Sequence, residues 1–579
     1  MNVFIELMFY RLRDFVLKHR VYSIVFFLYV LSIIAIAPWG SYAIGDDLYY
    51  FFQIQNFLSG DFVKNSYIDT SIILQVFIGY LWSLIFGANL LSLRILSIIF
   101  SLFLIFIIIS IFKKFKISDN LTIIGTLLIC FNPKFLYSGL SFNSEIYFLT
   151  FLLGSFYFLL KFNETKKLKY LLIFAILGGL SVSIRQLGFL ILFSGIFVLL
   201  LNFKYFKRSE ILLKIPAIFV LMILISMVGI FWPKHTNIIH PTSYSLLSII
   251  NYLNLYDKFL DLWKEIPYLS LYLSPFVIFL LKNTDKYRKV LATIFGLFLS
   301  IYLYQENVFN IGNVLYIEGI YARGYPILRD NLFNNLFIKH LLAFSFSFIF
   351  FLVGFFVIKN ISIFKKDRNS LIILFTSLVY FLSIFIAGIV YDRYFIYFEI
   401  FFVIFFIYLL NFLSIKPEKN VLFLTSIYAI ISVFYSMDFH QDLKIKWKFA
   451  YELSQERNIK LDEVFVQETF LKYAYIEKLK DYAGLYKIKP DYPEYKCFVS
   501  NDVVVKKTIF GEIIFLISRI LNKLNLIENK GIFEYGYNAG QLKQCRDCKI
   551  LKEESYFSPV YEIVGVSKFV KGYCLDVKK

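Results

Sequence analysis

Charge is scarce in this chain. Asp, Glu, Lys and Arg make up 17% of its 579 residues, where soluble proteins average about 25%. Residues in the set AVILMFWYC reach 59%, and mean hydropathy is +0.67. Long, nearly uncharged runs recur to about residue 437. That pattern excludes a multi-domain soluble enzyme and a disordered chain. Cysteine is scarce too, with five in all. Cys130 lies in an apolar segment and reads as an inert small hydrophobe. The other four, Cys497, Cys545, Cys548 and Cys574, all follow residue 437. Their even number suggests two disulfides in an oxidising compartment, with three pairings open. Cys545-Arg-Asp-Cys548 also has the spacing of half a zinc site or a redox pair. Acidic residues are outnumbered, 41 against 60 Lys and Arg, for a net charge of +19. Such a balance suits nucleic acid or an anionic membrane surface until the charges are located.

What is abundant is membrane-length apolar sequence. A bilayer helix needs roughly 20 mostly apolar residues. Thirteen segments are candidates, several of them shorter than that: 21–38, 91–112, 119–139, 145–161, 169–184, 187–203, 212–232, 267–281, 290–304, 337–358, 370–390, 394–413 and 420–437. A further apolar stretch, 71–87, reads as a membrane helix or as a re-entrant or interfacial one, and charge placement favours its not crossing. With the N-terminus cytoplasmic and 71–87 not crossing, the inward-facing segments hold 25 Lys and Arg against 7 acids. The residues from 438 onward hold 24 basic and 20 acidic side chains. The charge excess is therefore the positive-inside bias of a multi-pass protein. It falls in short membrane-flanking clusters and not on one surface, so no nucleic-acid partner is expected. No small-residue cleavage site follows the first segment, which reads as a retained helix. Thirteen crossings in a cell membrane put the tail outside the cytoplasm.

The expected fold is an all-α polytopic membrane domain over 1–437, with a small extracytoplasmic α/β or α+β domain over 438–579. The tail contains no charge-free span of 20 residues. Its most apolar stretch, Thr508–Leu521, holds Glu512 and Arg519 and reads as an amphipathic helix. Lys444–Asn458 reads as a helix, and Leu461–Gln467 as a turn into a short strand. The outward pieces include the loop 39–90, short turns near 140–144, 185–186 and 391–393, and the loop 305–336. The inward loops are short and basic, so chemistry is expected outside.

Outward polar residues then need reasons. Asp46 and Asp47 are adjacent carboxylates beside a bilayer, which costs free energy unless they are solvated or paired. Either one can cap the helix that runs to Leu58, or take a proton from an attacking hydroxyl. Both roles are compatible. Glu145 stands at the outer start of a helix, where it complements the dipole. Arg185 is nearly the only charge between two apolar helices, and an anionic partner is expected for it. Asp392-Arg393-Tyr394 forms a similar turn, with an Asp–Arg pair as the simplest reading. The 305–336 loop adds Glu306 and Arg323. Carboxylates and arginines thus gather on one membrane face. That suits a substrate with a phosphate headgroup, hydroxyls and a long apolar tail. Arginines would hold the phosphate bidentately.

In these features the chain resembles the polytopic GT-C glycosyltransferases, in particular the dolichyl-phosphate-mannose protein mannosyltransferase-like group that includes bacterial aminoarabinose transferases. The family pattern Asp-Glu-x-x-Tyr, a helix, then Gly-Asp/Asn-aromatic matches Asp46-Asp47-Leu-Tyr-Tyr50 and Gly60-Asp61-Phe62. Phe86-Gly87, Arg94, Glu145 and Arg393-Tyr394 match further motifs in order, over about residues 20–437. The resemblance implies a helical bundle whose first outer loop packs juxtamembrane helices over a cavity. It implies a polyprenyl- or dolichyl-phosphate sugar donor, a lipid, glycan or protein acceptor, and inversion at the anomeric carbon; no cofactor and no metal site are expected. Asp46 matches the general base, with Asp47 and Glu145 as the other acids. Tyr50, Arg185, Glu306, Arg323, Asp392, Arg393 and Tyr394 are the expected substrate contacts. Two departures bear on the sugar and the acceptor. Asp69-Thr70-Ser71 stands where aminoarabinose-type members have Lys-Pro, and the second acid is Glu145 instead of Asp. A transporter or flippase of lipid-linked sugars is the alternative class. No internal repeat supports it, and the charges gather at the outer rim and not at mid-membrane.

Overall fold

The computed structural model describes residues 19–63, 71–232, 269–305, 315–316, 319–320, 336–360, 367–386, 395–415, 419–458, 464–465, 497–505, 548–556 and 566–575. The chain begins with α1 (Arg20–Ile36), α2 (Asp47–Leu58), α3 (Ile73–Phe86), α4 (Leu90–Lys114), α5 (Asp119–Cys130) and α6 (Pro133–Gly139). Next come α7 (Ser144–Thr165), α8 (Leu168–Val182), α9 (Ile191–Asn202) and α10 (Ile215–Ile230). Then follow α11 (Leu269–Asn283), α12 (Lys286–Gln305), α13 (Leu336–Lys359), α14 (Arg368–Ile386), α15 (Ile396–Phe412) and α16 (Lys419–Arg457). Among the described residues, five helices are long and apolar enough to cross a membrane, or six if the bent pair α5–α6 is one span. The remaining apolar helices, such as α1, α8 and α15, are shorter.

The helices bury an apolar interior that includes Ile108, Phe112, Leu128, Phe156, Phe401 and Ile407. They leave Phe103, Leu200, Leu224, Phe298 and Phe423 exposed. An outer surface this apolar suits lipid, where helices satisfy their own backbone groups. The chain is therefore a multi-pass membrane protein built from α-helices.

Local chemistry sets two helix boundaries that matter for the site. Asn89 caps α4, its Oδ1 accepting from the Ser92 N–H at 2.8 Å. Pro133 lacks an N–H and breaks the 119–139 segment. Asn132 restarts it by accepting from the Lys134 N–H at 2.8 Å, with proline in the first turn. The two halves meet at 65°, so the helix expected over 119–139 is broken just before its C-terminal end.

Contacts sort the helix ends onto two faces. At one face Arg94 of α4 donates to the carbonyls of Pro38, Gly40 and Tyr42. The end of α1 and the start of α4 are therefore on the same side. Tyr42 Oη and His440 Nδ1 are 2.8 Å apart there. The Ile72 N–H also donates to the Ile184 carbonyl at this face. At the other face Lys114 pairs with Glu164, Tyr408 donates to Asp367 at 2.7 Å, and Lys359 donates to the Asn283 carbonyl at 3.1 Å. The groups in this second set come from segments expected to face inward, or from the inner end of 394–413. Those of the first set come from segments expected to face outward, or from the outer ends of 21–38, 91–112 and 169–184.

α16 runs without interruption from Lys419 to Arg457. The expected boundary at 437/438 falls inside it, and the helix expected over Lys444–Asn458 is its C-terminal part. Beyond it the described pieces are β3 (Val464–Phe465), β4 (Cys497–Val505), β5 (Cys548–Tyr556) and β6 (Val566–Leu575). They follow a two-stranded β1–β2 pair (Leu315–Tyr316, Gly319–Ile320). β3 to β6 form one sheet of order β3-β4-β6-β5. β3 pairs parallel to β4, while β6 is antiparallel to both its neighbours. The apolar stretch Thr508–Leu521 lies outside the described residues.

Candidate active site

The first face gathers three polar groups around the short helix α6. The first is built on the Gly45-Asp46-Asp47 turn. Asp46 occupies the N-cap position of α2 without a side-chain cap bond, and it is half-buried. Its main-chain carbonyl accepts from the N–H groups of Tyr49 and Tyr50. Asp47 is buried, and its Oδ1 accepts from the Ile44 N–H at 2.7 Å. That bond ties the carboxyl back to the loop before the helix. Burial pushes the Asp47 carboxyl up to about 8, against the opposing pull of Arg94. At neutral pH it is mostly a neutral carboxylic acid.

Arg94 braces this loop. Its Nη1 donates to Pro38 O at 2.6 Å and its Nη2 to Tyr42 O at 2.6 Å. Its guanidinium lies 4.3 Å from the centre of the Tyr42 ring. Gly45 adopts φ +59, and a Cβ there would crowd the Tyr137 hydroxyl of α6. The left-handed backbone favours glycine, and a larger residue would have to displace that hydroxyl. Gly45→Ala is expected to destabilise the protein by at least about 1–2 kcal/mol, the cost of a non-glycine residue in that conformation. Thermal unfolding in detergent would measure it.

The second group joins the start of α7 to the turn after α8. Arg185 Nη2 reaches Glu145 Oε1 at 2.6 Å. Nε and Nη2 also donate to Ser144 Oγ at 2.9 and 2.7 Å. All three residues are buried. The anionic partner expected for Arg185 is thus Glu145, within the protein. Tyr50 is buried with its ring edge-on to Phe142, 6.5 Å between centres. Gln75 of α3 donates to the Phe142 carbonyl at 2.9 Å. The 140–144 turn thereby links the Asp46 helix to the Glu145–Arg185 pair.

Sequence reasoning passed over the third group. Lys134 Nζ meets Glu399 Oε1 at 2.8 Å, and both are buried. Asn132 donates to Glu399 Oε2 at 3.3 Å and accepts from the Tyr272 hydroxyl at 3.1 Å. The pair pins the bent end of α6 to α15. A usable signal was present: two opposite charges inside apolar segments, each about five residues from an end expected to face outward. Losing Glu399 strands a buried ammonium. Glu399→Ala is expected to destabilise by about 3–5 kcal/mol. The fraction of protein surviving a heat step before size-exclusion chromatography would read it.

Asp46, Asp47, Tyr50, Glu145 and Arg185 therefore share one end of the bundle. Glu306, Arg323, Asp392, Arg393 and Tyr394 lie outside the described residues. So does Cys545. Cys130 is buried and free. Among the described residues no group of His, Cys, Asp and Glu is arranged to hold a metal.

Two adjacent acids and a buried arginine thus stand at one end of a multi-pass helical bundle. Over residues 73–232 the chain is similar to the family described as Dolichyl-phosphate-mannose-protein mannosyltransferase. The match takes in Arg94, Lys134, Glu145 and Arg185. It does not extend to Asp46 and Asp47 or to the tail. A comparison with curated proteins finds no match.

Proposed function

We propose that this chain is an inverting glycosyltransferase. It moves a sugar from a polyprenyl- or dolichyl-phosphate donor to a lipid, glycan or protein acceptor at the outer face of the cell membrane. The observation that carries the reading is the convergence of Asp46 with the Glu145–Arg185 pair at one end of the bundle, around the segment that resembles the mannosyltransferase family. In this reading Asp46 takes the proton of the acceptor hydroxyl. The acceptor oxygen attacks the anomeric carbon from the side opposite the phosphate. The bond from that carbon to the phosphate oxygen breaks, and the lipid phosphate leaves. Arg323 and Arg393 are the candidates for meeting its charge, because Arg185 is engaged by Glu145 and Ser144. Fixed charge of this kind acts chiefly on the transition state. Asp47 and Arg94 hold the loop that carries Asp46.

The proposed topology has thirteen crossings, with the N-terminus cytoplasmic and residues 438–579 forming an outer domain. One feature supports α3 lying on the membrane and not through it: the bonds from Arg94 of α4 to Pro38 and Tyr42 bring the chain back to the side it left after α1. A cysteine placed at exposed Ser59 is expected to add impermeant-maleimide labelling in intact cells. One placed at exposed Lys286 is expected to add it only after permeabilisation. Equal labelling of both from outside would overturn the topology.

The enzymatic test uses membranes, a polyprenyl-phosphate sugar and the acceptor fraction. Wild-type protein is expected to release polyprenyl phosphate and glycosylated acceptor together. Movement of intact lipid-linked sugar across the bilayer without transfer would favour a flippase instead.

A further inference from the structure

The tail cysteines acquire positions from the strand register. Cys497 opens β4, and Cys574 is the penultimate residue of β6. The two strands are antiparallel, and Cys497 is the direct partner of Cys574. Directly opposed residues of an antiparallel ladder share a face, with Cα atoms about 4.5–5.5 Å apart. A disulfide needs about 4.4–6.8 Å. β5 lies on the other side of β6. There Lys549 partners Cys574, and Cys548 partners Leu575. Successive residues of a strand alternate between faces. Cys548 is therefore on the face opposite to the one that Cys497 and Cys574 share.

We propose that Cys497 and Cys574 form a disulfide that joins β4 to β6, and that Cys548 takes no part in it. The same register argues against one metal held by Cys497, Cys548 and Cys574 together, because Cys548 is on the other side of the sheet. Forming the bond removes two protons and two electrons from the two thiols. A disulfide-bearing oxidant takes them up by thiol–disulfide exchange and leaves as a dithiol. The inference rests on the outer placement of the tail proposed above, since such bonds persist in oxidising compartments.

Peptide mapping of the full-length protein, alkylated in intact membranes before extraction, tests it. Trypsin releases Cys497–Lys506 and Gly572–Lys578 as separate peptides, and it cuts between Cys545 and Cys548 at Arg546. The expected result is a species joining Cys497–Lys506 to Gly572–Lys578 that disappears on reduction. It persists in Cys548→Ser. Linkage of either cysteine to Cys545 or Cys548, or stoichiometric zinc with all four alkylated only after chelation, would overturn the pairing. Impermeant maleimide on intact cells, added after a reductant, separates the two premises. Labelling of the Cys497 and Cys574 peptides only after reduction supports both. Labelling of either of those two peptides without reduction overturns the disulfide but not the outer tail. Labelling only after permeabilisation overturns the outer placement itself.

Discussion

Asp46→Asn is expected to lower sugar transfer by about 10²–10⁴-fold, the usual contribution of a positioned general base. Asparagine keeps the size of the side chain and cannot accept the acceptor's proton. Expression, helix content and binding of the polyprenyl-phosphate donor should stay near wild type. The comparison that sharpens this result is Asp47→Asn. Asp47 is buried, and its carboxyl is pushed up to about 8, so at neutral pH it is already mostly neutral. Asparagine there reproduces the neutral form and can still accept the Ile44 N–H bond. Transfer in Asp47→Asn is expected to fall less than tenfold.

The same shift has a signed consequence for stability. Folded Asp47 holds a proton that the unfolded chain releases near 3.8. Its contribution is fully present below about pH 4 and is lost as pH rises through about 8. Asp47→Asn removes that slope. Unfolding temperatures measured between pH 4 and pH 8 should fall in the wild type and stay flatter in the variant. A steeper fall in the variant would contradict the protonated, buried state of this side chain.

Glu145→Ala carries the second large effect. It leaves the buried Arg185 guanidinium without its carboxylate, at a cost of about 3–5 kcal/mol. The pair lies buried at 2.6 Å with Ser144 as the additional acceptor. The double variant Glu145→Leu with Arg185→Met removes both charges and keeps similar volume. It is expected to regain most of the lost stability, as replaced buried ion pairs commonly do. Transfer is expected to stay low in that double variant, because the polar contact beside the Asp46 helix is gone. Heat-step size-exclusion measures the first quantity and radiolabelled sugar transfer the second. Recovery of both would make the pair purely structural.

Much of the helical architecture was legible because a bilayer demands long apolar runs, and their ends are marked by Lys and Arg. The apolar segment 91–112 corresponds to α4 (Leu90–Lys114) and 145–161 to α7 (Ser144–Thr165) within a few residues. The helix expected to end at Leu58 does end there. The break at Asn132-Pro133 was passed over because hydropathy runs straight through it, although proline inside a helical run is a recognised breaker. The continuity of α16 through residue 437 was hidden for the opposite reason. Hydropathy drops there, but the backbone has no cause to stop, since Asp438 to Arg457 contains neither Gly nor Pro. At the site, the sequence placed Glu145 and Arg185 on the same face but did not join them. They lie 40 positions apart, and only the packing of α7 against α8 brings them together. Lys134 and Glu399 were missed entirely. Each looked like a single tolerated charge until the fold made them a pair.

The central claim is transfer from a lipid-phosphate sugar outside the membrane, with Asp46 as base. Mass spectrometry of the lipid and glycan fractions from cells lacking this gene tests it most directly. The expected result is an accumulated polyprenyl-phosphate sugar together with one glycoconjugate missing a single terminal residue. Both should be restored by the wild-type gene and neither by Asp46→Asn. An unchanged lipid-sugar pool in the deletion strain, or full restoration by Asp46→Asn, would contradict it.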